Sequence, residues 1–289
     1  MLLCLRVLPE LGQSIAWEGS AAKPLLRFGG WMMVTNVVSP LLVTLDRFLI
    51  GALVSVTAVA YYATPFEVII KFLLLPGALM GVMFPAFSVS FAQDRGRTAI
   101  LFHRCAKSLF LVLFPVMLCT VALAQDGLKL WLGPEFAHHS FRVLQVLAVG
   151  VFINSLAYVP FTFLQGLGRP DLTATLHLIE LPLYMGILWW LISTRGIEGA
   201  AIAWTTRVAV DALLLFMLAK RFLPGKGPIR LRTALLPAMA LLILALAALL
   251  QGPIVKGLFL LGMILCFLLV VWFRILTPEE RKLADLSRL

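Results

Sequence analysis

The sequence predicts an all-α, polytopic membrane protein with about eight transmembrane helices, on three observations. Of its 289 residues 61% are hydrophobic and only 13% are charged, about half the roughly 25% charge of soluble domains. Mean hydropathy is +1.00. The apolar residues gather in runs of about 18–25, the length that crosses a hydrocarbon core about 30 Å thick. These features exclude a soluble enzyme, a secreted disulfide domain and a disordered chain. Helices rather than strands follow because backbone groups in lipid must be satisfied within their own segment. The alternating segments of about ten residues that build an outer-membrane barrel are absent from the sequence.

The spans are predicted at 28–52, 60–90, 106–124, 143–165, 172–192, 197–219, 233–250 and 254–275. The first contains Pro40. The second is long enough to tilt or to overrun the bilayer. It carries Pro65, Pro76 and Pro85, each of which removes a backbone donor and bends its helix, so this span is read as a moving part. The third, fourth, fifth and seventh spans hold Pro115, Pro160, Pro182 and Pro237. The sixth opens on Gly196, Gly199, Ala200, Ala201 and Ala203, small residues that let neighbouring backbones approach. Trp31, Trp131, Trp189, Trp190 and Trp272 fall near predicted interfaces and read as belt anchors. Beyond the eighth span, Thr277-Pro278-Glu279-Glu280 is a helix start: a capping hydroxyl, proline in the first turn and acids at the positive end of the dipole. It predicts a short cytoplasmic helix.

Lys plus Arg number 24 against 14 Asp plus Glu, for a formal net charge of +10. Nearly all loop cations lie in 1–27, 95–107, 169, 220–232 and 274–288; the opposite set of loops holds only Lys129, Arg142, Arg195 and Lys256. Cytoplasmic loops carry the excess of Lys and Arg, so both termini are placed in the cytoplasm. The same placement assigns the charge to membrane topology and not to nucleic acid. Cys4, Cys105, Cys119 and Cys266 form no close-spaced pair and read as small apolar residues, not as bridges or metal ligands. Glu10 and Glu18, with no sustained apolar core before Lys23, argue against a cleaved signal peptide.

Ionisable residues inside the spans are the candidate functional groups. A charge near the bilayer centre costs at least about 2.5–3.5 kcal/mol and therefore faces a partner or a wet cavity. Glu67 and Lys71 lie at i,i+4, as do Arg207 and Asp211; His177 and Glu180 lie at i,i+3, so each pair shares one helical face. These pairs either neutralise themselves and lock packing or serve transport. Asp46 points to a different face from Arg47, so Arg47 must find an acid on another span or a solute anion. Its fixed, always-charged fork suits phosphate, and it is the leading candidate for a transport path. Lys71 and Arg207 complete the substrate-path candidates. Asp46, Glu67, Glu180 and Asp211 are candidate coupling groups or structural charge partners. No Walker A loop, glycine-rich nucleotide loop, HExxH or serine elbow occurs, so no catalytic residue, cofactor or direct ATP use is expected. His138-His139 has no nearby cysteine or acidic cluster, and no metal centre is expected there.

The stretch FGGWMMVTNVVSPLLVTLDRFLIG followed by VAYYATPFEVIIKFLLLPGALMGVMFP, within 28–85, resembles the start of the C-terminal lobe of Wzx-type polysaccharide flippases. These belong to the multidrug/oligosaccharidyl-lipid/polysaccharide exporter superfamily, shared with lipid II flippases and MATE exporters. WLGPEF at 131–136, LQGLGRPDLTA at 164–174, HLIELPLYMGILWWLI and GIEGAAIAWTTRVAVDALLL within 177–215 continue the similarity in order. The resemblance implies the C-terminal lobe of a MATE/lipid-flippase-like bundle plus two extra helices. It implies translocation of a polyprenyl-diphosphate-linked oligosaccharide across the bacterial cytoplasmic membrane for O-antigen or exopolysaccharide biosynthesis, by alternating access. Arg47, Lys71 and Arg207 match the demand of the diphosphate for cations. The implied organisation is an N-terminal segment or inter-lobe linker (1–27), a six-helix transport lobe (28–221), an accessory helix pair (222–276) and a cytoplasmic tail (277–289). Full-length relatives have two lobes. The chain is therefore expected to be a truncated reading frame or a half that pairs with a separately encoded N-terminal lobe or with itself; its other partners are the lipid-linked oligosaccharide and membrane lipids. A MATE-type ion-coupled exporter of small solutes is the competing reading. A membrane-embedded glycan polymerase ranks last, because the outer loop at about 125–142 is short.

Overall fold

The computed structural model describes residues 19–224 and 231–275. The helix start at Thr277, most of the segment 1–27 and the loop cations Lys226 and Arg230 lie outside the described residues. Every regular element among the described residues is a helix.

Helix α1 (Gly19–Leu53) begins ahead of the predicted start at 28 and runs through Pro24 and Pro40. Thr35, Val38, Leu42, Asp46 and Ile50 are buried along it, a spacing of three or four that turns one stripe toward the bundle. The predicted second span is one helical path in three pieces: α2 (Val56–Ile70), a 3₁₀ turn (Lys71–Leu73) and α3 (Leu74–Gln93). The Ser55 hydroxyl caps α2 by accepting from the Ala58 N–H at 3.0 Å. The 3₁₀ turn lies where Pro76 cannot donate to the carbonyl of Phe72, and the chain tightens there instead of continuing as α-helix. The Asp94 carboxylate accepts from the Gly96 N–H at 2.7 Å and opens α4 (Arg95–Ala122).

A short amphipathic helix, α5 (Ala124–Leu132), stops at Gly133, whose φ of 89° suits glycine. Helix α6 (Pro134–Gly166) follows, with proline in its first turn. It is the central post: 61% of its apolar stretch is buried, against α2, α3, α4, α5 and the next helix.

That next helix, α7 (Pro170–Lys220), turns back on itself at Gly196, where φ is 58° and ψ −136°. Arg207 stands 3.5 Å from Glu180, whereas 27 residues of straight helix would separate them by about 40 Å. Limbs 170–195 and 197–220 therefore form a tight antiparallel hairpin, matching the predicted fifth and sixth spans. The small residues behave as expected: Gly199, Ala200, Ala201 and Ala203 are buried, and a Cβ on Gly199 would collide with the Leu191 carbonyl of the opposite limb. Gly150 of α6 admits the Trp204 ring, which a Cβ would meet at 2.5 Å. Thr205 donates to the Val146 carbonyl across the same joint at 3.0 Å. Helix α1 packs on α7 and α2, closing a six-pass bundle.

Helices α8 (Leu231–Leu249) and α9 (Pro253–Val270) lean on α4 from outside. Phe267 meets Phe114 at 5.2 Å between ring centroids, and the buried Lys256 ammonium reaches Asp126 of α5 at 2.7 Å. Among the described residues, 6 helices are long and apolar enough to cross a membrane, and 236–249 is a shorter apolar one. With α7 counted as two passes, the eight predicted spans are accounted for.

Candidate functional site

Helices α1, α2–α3, α6 and α7 surround a cavity of about 770 Å³. From α1 it receives Thr35, Asn36 and Ser39, from the 3₁₀ turn Lys71, from α6 Asn154 and Tyr158, and from α7 His177, Arg207 and Asp211. Leu42, Val43, Gly77, Phe161 and Leu215 supply apolar wall. The cavity is thus lined by neutral hydrogen-bonding groups and a few charges, held on helices whose other faces pack in the core. Lys71 is placed by the local tightening of the helix and is solvent-accessible; among the described residues no ion pair involves it.

The charges pair differently from their sequence spacing. Glu67 binds Arg47 of α1, Nη2 to Oε1 at 2.6 Å, and not Lys71 four residues on. The 3₁₀ turn starting at Lys71 changes the helical repeat at that point, and α1 presents a guanidinium to the face Glu67 occupies. Arg207 likewise binds Glu180 on the opposite limb at 3.5 Å, and Asp211 faces His177 Nε2 at 3.7 Å. In a hairpin the cross-limb neighbour competes with the i,i+4 neighbour, and here both acids meet bases from the other limb.

Two linked clusters result. In the first, the fully buried Asp46 accepts from the Tyr62 hydroxyl and, at 2.7 Å, from the Arg47 backbone N–H. The Arg47 guanidinium lies 5.4 Å from the Phe66 ring centroid, and Phe66 meets Trp204 edge-on at 5.2 Å. In the second, Arg207 lies 5.4 Å from the Tyr184 ring centroid. His177 Nδ1 is 3.3 Å from the Ser39 hydroxyl, and its ring stacks on Phe161. Among the described residues, Glu180 Oε1, Asp211 Oδ1, Tyr184 Oη, Trp204 Nε1 and Arg207 Nε are buried with no hydrogen-bond partner. This is a polar patch inside an otherwise apolar bundle.

Of the substrate-path candidates, Lys71 and Arg207 share the cavity, whereas Arg47 is held by Glu67 beyond its lining. Of the charge partners, Asp211 lines the cavity, Glu180 sits behind Arg207, and Asp46 is sealed under Tyr62. No metal centre was expected, yet the ligand atoms of His177, Glu180 and Asp211 all lie within 4.8 Å of one another. Neutral imidazole and two carboxylates suit a hard or borderline cation, although the adjacent Arg207 already supplies positive charge. Asn36, Asn154 and Tyr158 carry no linear motif and were not singled out by sequence. The i,i+3 spacing of His177 and Glu180 already placed those two on one face; Asp211 joins them because the chain turns back at Gly196.

Comparison with known proteins follows the same direction. Residues 2–141 match the profile of a family described as "Polysaccharide biosynthesis protein". The chain is 37% identical over 204 residues to "Putative O-antigen transporter" of Shigella flexneri, covering 69% of this chain and 47% of that protein. It is 24% identical over 195 residues to "Probable low-salt glycan biosynthesis flippase Agl15" of Haloferax volcanii, covering 67% of this chain and 41% of that one. The aligned part spans less than half the length of either relative. Both are named as transporter or flippase and not as enzymes. The profile match begins ahead of Phe28, in the segment read from sequence as a linker.

Proposed function

Proceeding from its kinship with Wzx-type polysaccharide flippases, we propose that this chain is one lobe, the C-terminal one, of a carrier moving a polyprenyl-diphosphate-linked oligosaccharide across the bacterial cytoplasmic membrane. The observation that carries the reading is the cavity of about 770 Å³, in which Lys71 and Arg207 stand among Asn36, Ser39, Asn154 and Tyr158. A diphosphate entering an apolar bundle needs fixed cations, and a glycan needs neutral donors and acceptors. Lys71, with no competing acid on it, is assigned the first contact with the diphosphate; Arg207 is assigned the second. Glu180 and Asp211 are the proposed coupling groups, since a proton or cation arriving at them alters the hold on Arg207.

A charged pair exposed to lipid is costly, yet the Arg47 and Glu67 side chains are 28% and 51% exposed. This supports a second lobe against the α1–α2 face, either a separately encoded N-terminal lobe or another copy, with residues 28–221 as the transport lobe and 222–276 as the accessory pair. In this arrangement both termini are cytoplasmic, and no residue is assigned a catalytic role.

Complementation of glycan export in a flippase-deficient strain, with the missing lobe supplied, tests the assignment. Lys71→Gln is expected to lower surface glycan at least tenfold at unchanged membrane level, and Lys71→Arg to retain it. Full export by Lys71→Gln overturns the role of Lys71. The buried acids Asp46, Glu180 and Asp211 also favour, more weakly, a MATE-type exporter of cationic solutes. Efflux of such solutes in a strain showing no glycan export would establish that reading instead.

A further inference from the structure

A second cavity, of about 570 Å³, opens between the start of α4 and the end of α7. Arg95, Lys220 and Arg221 line it, beside Met217, Phe222 and Leu223. It is separate from the central cavity: at 3.6 residues per turn Lys220 lies about 140° round α7 from Leu215, whose side chain lines the central one. Met217, on this outer side, is 54% exposed.

The cations are available. Among the described residues no ion pair involves Arg95, Lys220 or Arg221. The nearest acid in sequence, Asp94, has its carboxylate on the Gly96 N–H at 2.7 Å. Asp171 is held by Arg169 at 2.9 Å. Arg95 is steadied by the Phe91 ring, 5.0 Å from guanidinium carbon to centroid, and Phe222 is likewise backed by Arg169 at 5.8 Å. Three cations with no ion pair among the described residues therefore line a recess with one apolar wall, at helix ends and on a face turned away from the central cavity.

We propose that this recess binds the phosphate headgroup of an anionic membrane lipid, with Met217, Phe222 and Leu223 against the first carbons of its acyl chains. Basic pockets at helix ends attract anionic headgroups by about 1 kcal/mol for each Lys or Arg near the surface. A soluble anion would gain nothing from the apolar wall. Only the leaflet, the cytoplasmic one, rests on the orientation proposed above; the chemistry of the pocket does not.

Native mass spectrometry of the full chain in neutral micelles, titrated with phosphatidylglycerol or phosphatidylcholine, tests the proposal without any transport readout. Phosphatidylglycerol is expected to bind at least tenfold tighter than phosphatidylcholine. The triple variant Arg95→Gln, Lys220→Gln, Arg221→Gln is expected to lose that binding by on the order of a hundredfold, about fivefold per cation. The charge-keeping variant Arg95→Lys, Lys220→Arg, Arg221→Lys and the remote variant Arg142→Gln should bind as the parent does. Should the triple variant not fold, Lys220→Gln and Arg221→Gln alone are each expected to show the fivefold loss. Undiminished phosphatidylglycerol binding in the charge-removing variants, equal binding of phosphatidylcholine, or displacement of the lipid by inorganic phosphate at matched concentration would each overturn it.

Discussion

Helix α6 and the outer helical stretch 253–273, which contains α9, are both apolar enough to span a bilayer, yet they are used in opposite ways. The first has mean hydropathy 1.8 and 61% of its apolar stretch is buried; the second has 2.8 and 6% is buried. The more hydrophobic helix is the less buried one. In water the order would be reversed, because apolar surface is driven inward. In lipid that drive between helices is absent, and close packing and polar contacts select which surfaces meet. Hence α6 and α7 join through Gly150, Trp204 and Thr205, while α9 leans on α4 through Phe267 and is tethered near its start by Lys256 and Asp126.

That contrast can be broken by experiment, beginning with the buried ion pair. Arg207→Met leaves Glu180 without its cation, and breaking a buried pair in this way costs about 3–5 kcal/mol. Unfolding of the detergent-solubilised protein should show a loss of that size; a loss below about 1 kcal/mol would mean that the α7 hairpin does not depend on the pair.

Close packing provides the next effect. Gly199→Ala drives a methyl into the Leu191 carbonyl, and overpacking costs about 1–3 kcal/mol. Gly257 and Gly262 in α9 have nothing within 4 Å of a Cβ. There the change to alanine should raise stability by up to about 1 kcal/mol through helix propensity. Equal responses at 199 and 257, read as melting temperatures, would erase the difference between the two regions. The smallest effect is expected at Lys256→Met. It releases the half-exposed Asp126 and should lower stability by about 1 kcal/mol or less, read as earlier proteolysis of the α8–α9 pair.

Much of this architecture was legible in the sequence, because hydropathy length measures the one quantity a bilayer imposes. All eight predicted spans correspond to helical passes, including the two limbs that meet at Gly196. The charge partners were less legible. Spacing of i,i+4 names the neighbour on the same helix, and Lys71 illustrates how a local 3₁₀ turn defeats it. That Arg47 needed an acid from another span or a solute anion followed from the different faces of Asp46 and Arg47; that an acid, Glu67, takes it depended on how α1 leans on α2. Asn36, Asn154 and Tyr158 were invisible for a simpler reason: a neutral polar residue at moderate depth carries no penalty large enough to mark it.

The turn at Gly196 also bears on biogenesis. It leaves almost no loop between two passes, so limbs 170–195 and 197–220 reach the insertion machinery back to back and can enter the bilayer as one piece. Glu180 and Arg207 face each other across that turn at 3.5 Å, so the hairpin carries within itself the partner that each of these buried charges needs. Two charges that would each be costly alone in lipid are thereby matched within one continuous piece of chain.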